Sequence, residues 1–106
     1  MPESWIEVPG AAEVAEGMLK TFVVDGFPLA FARVGGKLYA VEDRCSHDDG
    51  PLGEGALDGC EIICPRHGAR FDLRDGRAVR MPAVQGILPV AVKEEGGKVL
   101  VDGGAL

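Results

Sequence analysis

Both histidines and all three cysteines of this chain fall in one stretch, "CSHDDGPLGEGALDGCEIICPRH", running from Cys45 to His67. Two short groups stand out in it: Cys45-Ser46-His47 and, sixteen residues further on, Cys64-Pro65-Arg66-His67. Each group offers one thiolate and one imidazole, and in a tight loop that separation lets both side chains point the same way. Two such loops meeting at their tips enclose a metal centre with two sulfur and two nitrogen ligands. This donor set suits a tetrahedral zinc ion, and equally a [2Fe–2S] cluster in which two histidines replace two cysteines on one iron. Common structural zinc sites with these ligands place two cysteines on one loop and two histidines on a following helix. Here each loop is mixed and no helix is predicted nearby, which favours the cluster.

The remaining reactive side chains are read as accessory. Cys60 opens the apolar run "CEII" without a partner at ligand spacing, and is expected to be a buried thiol. Asp48 and Asp49, directly after His47, are read as solvated, with partner docking or a raised proton affinity of the imidazole as alternatives, and Arg66 lies between Pro65 and His67. No nucleophile–base pair and no phosphate-cradling loop stands out beyond this motif.

The elements that must hold these loops are short. Runs rich in valine, isoleucine, leucine and phenylalanine recur between turn signals: "SWIEV", "LKTFVV", "PLAFARV", "KLYAVE", "CEIIC", "ILPVAVKE" and "KVLVD". The turns include "DGFP" at 25–28, "GGK" at 35–37, "RDG" at 74–76 and "EGGK" at 95–98. Strands of this length and spacing predict an all-β domain of antiparallel hairpins. In "KLYAVE", Leu38, Ala40 and Glu42 share one face, and Tyr39 and Val41 the other. The segment 11–20 has room for a short helical turn. Trp5 and Tyr39 are expected to pack in the core or at its edge. There is no repeat, linker or low-complexity tract, so residues 1–106 are read as one domain.

A length of 106 residues with 46% apolar content allows one modest core, which a metal tying loops together would reinforce. A net charge of −6 argues against nucleic acid as a partner. The N-terminus has no basic, apolar leader, and no apolar run reaches the roughly 20 residues that span a bilayer. With an odd number of cysteines, the expected location is the reducing cytoplasm.

The pattern C-x-H-x16-C-x2-H, followed by glycine and Phe71-Asp72, resembles the Rieske [2Fe–2S] proteins, and "ICPRHGARFDLRDGRAVRMPA" is similar to the soluble Rieske ferredoxins. That resemblance implies a β-sandwich with a small cluster-binding subdomain at about 43–82. It implies thiolate ligation of one iron by Cys45 and Cys64, and imidazole ligation of the other by His47 and His67, whose outward edge passes electrons. It further implies that Pro65 and glycines 50, 53 and 68 let backbone N–H groups reach the sulfurs. Leu52 and the Met81-Pro82-Ala83 turn would keep water off the cluster.

The chain departs from the membrane-bound Rieske proteins of cytochrome complexes. Gly50 and Arg66 stand where those proteins carry a disulfide pair, so no bridge forms. Ala69 and Phe71 replace a serine and a tyrosine whose hydroxyls bond to sulfur there. The missing hydroxyls imply a potential toward the lower end of the span of about −150 to +300 mV of Rieske centres. The function expected is a monomeric carrier of one electron from a flavin-dependent NAD(P)H reductase to a terminal oxygenase. A small Rieske subunit of an assimilatory nitrite reductase is the alternative, and a structural zinc module the third reading.

Overall fold

The computed structural model describes residues 5–45, 50–65, 68–80 and 85–105. Among these, the chain forms short antiparallel strands gathered into three sheets. Strands β2 (Leu19–Val24), β3 (Phe27–Val34) and β4 (Lys37–Glu42) run as a meander, and β9 (Pro89–Val90) pairs with the far edge of β4. The turns set this register. Asp25-Gly26 (φ 52° and 83°) and Gly35-Gly36 (φ 63° and 81°) have both central residues left-handed, the two-residue geometry that matches the twist of the flanking strands.

A second sheet joins β1 (Trp5–Glu7), β11 (Lys98–Asp102) and β10 (Val92–Glu95), drawing together the two ends of the described chain. The third is a meander of β5 (Ala56–Asp58), β6 (Glu61–Ile63), β7 (Arg70–Asp72) and β8 (Ala78–Arg80). Single 3-10 turns at Ala11–Glu13 and Gly103–Ala105 supply the helical content. The first lies in the segment where a helical turn was expected.

The β2–β3–β4 meander is the middle layer, and its alternation feeds two cores. Leu29, Phe31, Leu38 and Ala40 pack on one side against Val99 and Val101 of β11. Ala30, Ala32 and Val41 face the other side, where they meet Cys45, Leu52, Ile62, Cys64, Phe71 and Leu73. "KLYAVE" therefore has both faces at least partly covered beyond its first residue. Phe31 and Phe71, each fully buried, anchor the two cores. Burial of a side chain that size contributes about 1.5–3 kcal/mol.

Sheet pairing refines the expected strands. "ILPVAVKE" splits at Ala91 into β9 and β10, which belong to different sheets. "CEIIC" narrows to Glu61–Ile63, so Cys60 sits in the β5–β6 turn, half-buried and not in a strand interior. The expectation of a buried Cys60 is corrected accordingly. The residue follows Gly59 in the hairpin turn that joins Asp58 to Glu61.

Candidate metal centre

Two loops leave the strands that border the second core, and they are built alike. The first follows β4: the Cys45 N–H donates to the Gly50 carbonyl at 2.8 Å. The second follows β6: the Cys64 N–H donates to the Ala69 carbonyl at 2.7 Å. In both, the cysteine closes the loop across the same span of sequence. Within the second loop, Gly68 (φ 75°) turns the chain, and its N–H donates to the Cys64 carbonyl at 3.1 Å.

The closures point both cysteines inward. Cys45 and Cys64 are 0% and 1% exposed, and both belong to the core cluster with Leu52, Ile62, Ala69 and Phe71. A thiolate is costly in such apolar surroundings unless a cation compensates it. Two buried thiols in one pocket at the bases of matching loops thus fit a centre that takes sulfur from each. His47 and His67, with Asp48, Asp49, Arg66 and the Met81-Pro82-Ala83 turn, lie outside the described residues. Leu52 is wholly buried in the same core cluster as the cysteines.

The expected use of the glycine N–H groups is corrected at two positions. Gly53 N–H donates to Asp43 Oδ1, and Gly68 N–H to the Cys64 carbonyl, so neither is directed at a sulfur. Both serve to hold the loops in shape.

At the end of β7, Asp72 is the buried polar residue of the described core, 3% exposed. Its Oδ1 accepts from the Arg74 backbone N–H and from Arg74 Nε, both at 2.9 Å, and its Oδ2 from Arg74 Nη2 at 2.7 Å. Those Arg74 hydrogen bonds hold the carboxyl at a pKa of about 2, against the opposing effect of burial. The same residue's backbone closes the turn, with Asp72 N–H bonded to the Arg77 carbonyl and its carbonyl bonded by Gly76 N–H.

Comparison with known proteins gives this geometry a family. Residues 4–94 match the model of the Rieske [2Fe–2S] domain. The chain belongs to the Rieske family. It is 39% identical to the ferredoxin component of the naphthalene 1,2-dioxygenase system of Pseudomonas aeruginosa, over 96% of this chain and 98% of that protein. The ferredoxin of carbazole 1,9a-dioxygenase from Nocardioides aromaticivorans IC177 superposes with a TM-score of 0.88 at 31% identity, covering 93% of this chain and 97% of that one. The ferredoxin fold is matched again in a complex of reduced oxygenase and oxidized ferredoxin in carbazole 1,9a-dioxygenase. There the TM-score is 0.87 at 35% identity, over 96% of this chain and 95% of that one. As a Rieske protein the chain carries one [2Fe–2S] cluster.

Sequence spacing located the two cysteines but gave no sign of Asp43 and Thr21, which lie behind the first Rieske loop. Their only local signal was an aspartate two positions before the first cysteine.

Proposed function

We propose that this chain is the ferredoxin of a multicomponent ring-hydroxylating oxygenase system. It takes one electron from a flavin-dependent NAD(P)H reductase and delivers it to a terminal oxygenase. The observation that carries the reading is end-to-end correspondence with a dioxygenase ferredoxin component, 96% of this chain and 98% of that one, joined to two buried thiols in matching loops.

Cys45 and Cys64 would hold one iron through sulfur, with His47 and His67 on the other. When bound, the cluster supplies a store for a single electron. The chain's own residues do the rest. The loop closures fix the two cysteines, Leu52 and Phe71 exclude water from the sulfur side, and the acidic surface meets a basic face on each partner. The protein acts as a cytoplasmic monomer and catalyses no bond-making step. Among the described residues, no helix is long and apolar enough to cross a membrane.

The test is analysis of freshly isolated protein followed by electron delivery. Two irons and two acid-labile sulfides per chain are expected, with a rhombic EPR signal on dithionite reduction. Mixing reduced protein with an oxidised terminal oxygenase in a stopped-flow cell should reoxidise it within one turnover. Tight zinc binding without iron or sulfide would overturn the reading.

A further inference from the structure

The two Rieske loops share an inner closure but differ at the base. Behind the second loop the β6–β7 ladder continues directly, pairing Ile63 with Arg70 and Ile62 with Phe71. The flanks of the first loop, 42–45 and 50–53, have no such ladder among the described residues. One carboxylate takes its place. Asp43 Oδ1 accepts from Leu52 N–H at 2.7 Å and from Gly53 N–H at 2.6 Å, so the residue two before Cys45 grips the chain just after Gly50.

The grip is itself anchored. Asp43 Oδ2 accepts from Thr21 Oγ1 at 2.9 Å, and Asp43 N–H donates to the Pro28 carbonyl at 3.1 Å, tying the carboxylate to β2 and β3. The site is shaped for close approach. A Cβ on Gly53 would collide with Thr21 Oγ1, so a side chain there would displace the hydroxyl that anchors the carboxylate. Charge-assisted hydrogen bonds from backbone N–H groups are among the stronger ones a protein makes.

From this geometry, and resting on the proposed assignment of Cys45 and His47 as cluster ligands, we infer that Asp43 is a positioning residue for the first Rieske loop. It substitutes for the missing ladder and sets where that loop presents its ligands. A second carboxylate of identical chemistry makes the role separable from ordinary turn stabilisation. Glu16 accepts from Gly35 N–H and Gly36 N–H at 2.7 and 2.8 Å, in the β3–β4 turn, away from both loops.

The experiment compares Asp43→Ala, Asp43→Asn, Thr21→Val and Glu16→Ala in intact protein. Iron and sulfide content, EPR g values of the reduced state, reduction potential and cluster half-life under a chelator are read for each. Asp43→Ala is expected to lose its cluster about tenfold faster than wild type and to shift or broaden the EPR signal, since two charge-assisted bonds to the loop are gone. Asp43→Asn keeps an acceptor oxygen for Leu52 and Gly53, and should restore the g values. Glu16→Ala should leave all four cluster readouts at wild-type values.

Wild-type cluster retention and g values in Asp43→Ala overturn the inference, as does an equal effect from Glu16→Ala. Should Asp43→Ala fail to fold, Thr21→Val decides: a broadened signal sustains the positioning role, and an unchanged signal and half-life overturn it. Absence of any cluster from the wild-type protein would instead refute the proposed function.

Discussion

At the scale of single residues, the pocket combines apolar packing with one strongly held carboxylate. Ala69 and Phe71, both fully buried beside Cys64, are the positions where the membrane-bound relatives were expected to offer hydroxyls. Ala69→Ser and Phe71→Tyr should each raise the reduction potential, because a hydroxyl donated to sulfur favours the more negative, reduced centre. Protein-film voltammetry checks this, and an unchanged or lowered potential in both variants would contradict it. Asp72 gives a different kind of prediction. Its folded pKa of about 2 lies below the ordinary 3.8, so its contribution is complete above pH 3.8 and is lost as pH falls toward 2. A shift of that size corresponds to about 2 kcal/mol, less some screening because Arg74 is largely exposed. Asp72→Asn should therefore unfold at lower urea than wild type at pH 7, with the gap closing between about pH 4 and pH 2. Taking the difference between the two proteins removes what acid does elsewhere in the molecule.

At the scale of elements, the β3–β4 hairpin and β11 were legible because β-branched and aromatic runs ended at paired turn residues. Strands β5, β7 and β8 were not. Each is three residues long, in "ALD", "RFD" and "AVR", and becomes a strand only through its neighbour in the meander. Cys60 was misplaced for a related reason: its apolar run begins one residue inside a hairpin turn. The cysteine loops were legible from spacing alone, since ligand chemistry constrains both type and separation. Asp43 was hidden, because its hydroxyl partner Thr21 lies 22 residues away, on another strand. One contact between elements tests how the third sheet is seated. Ile87 N–H donates to the Gly76 carbonyl at 2.7 Å, and a Cβ on Gly76 (φ +77°) would lie 1.9 Å from the Ile87 carbonyl oxygen. Gly76→Ala is expected to cost at least about 2 kcal/mol, combining the left-handed backbone with the collision. Thermal unfolding should show a fall of about 8 °C or more. A loss under about 0.5 kcal/mol, the range of an ordinary surface change, would mean that this crossing does not hold the sheet.

At the scale of the whole molecule, the two cores divide the labour. The core between the β2–β3–β4 meander and the β1–β11–β10 sheet contains neither cysteine. The other contains both, and through them joins the meander to a third sheet whose strands have three residues each. Strands this short bring few apolar side chains each to the core, chiefly Ile62 and Phe71. The proposed cluster, bridging the two loops, would add its binding free energy to this half. Cluster removal should therefore loosen the molecule unevenly. Hydrogen exchange on cluster-loaded and cluster-free protein provides the measurement. Amides of β6 and β7 are expected to exchange roughly a hundredfold faster or more without the cluster, a loss of about 2.7 kcal/mol or more of local protection. Amides of the β2–β3 and β10–β11 ladders should stay within a few-fold of their loaded rates. Equal acceleration in every sheet would show one cooperative unit instead, and no acceleration anywhere would show that the loops keep their shape without metal. Either result would separate the cluster's electronic role from the structural one that the buried position of Cys45 and Cys64 assigns to it.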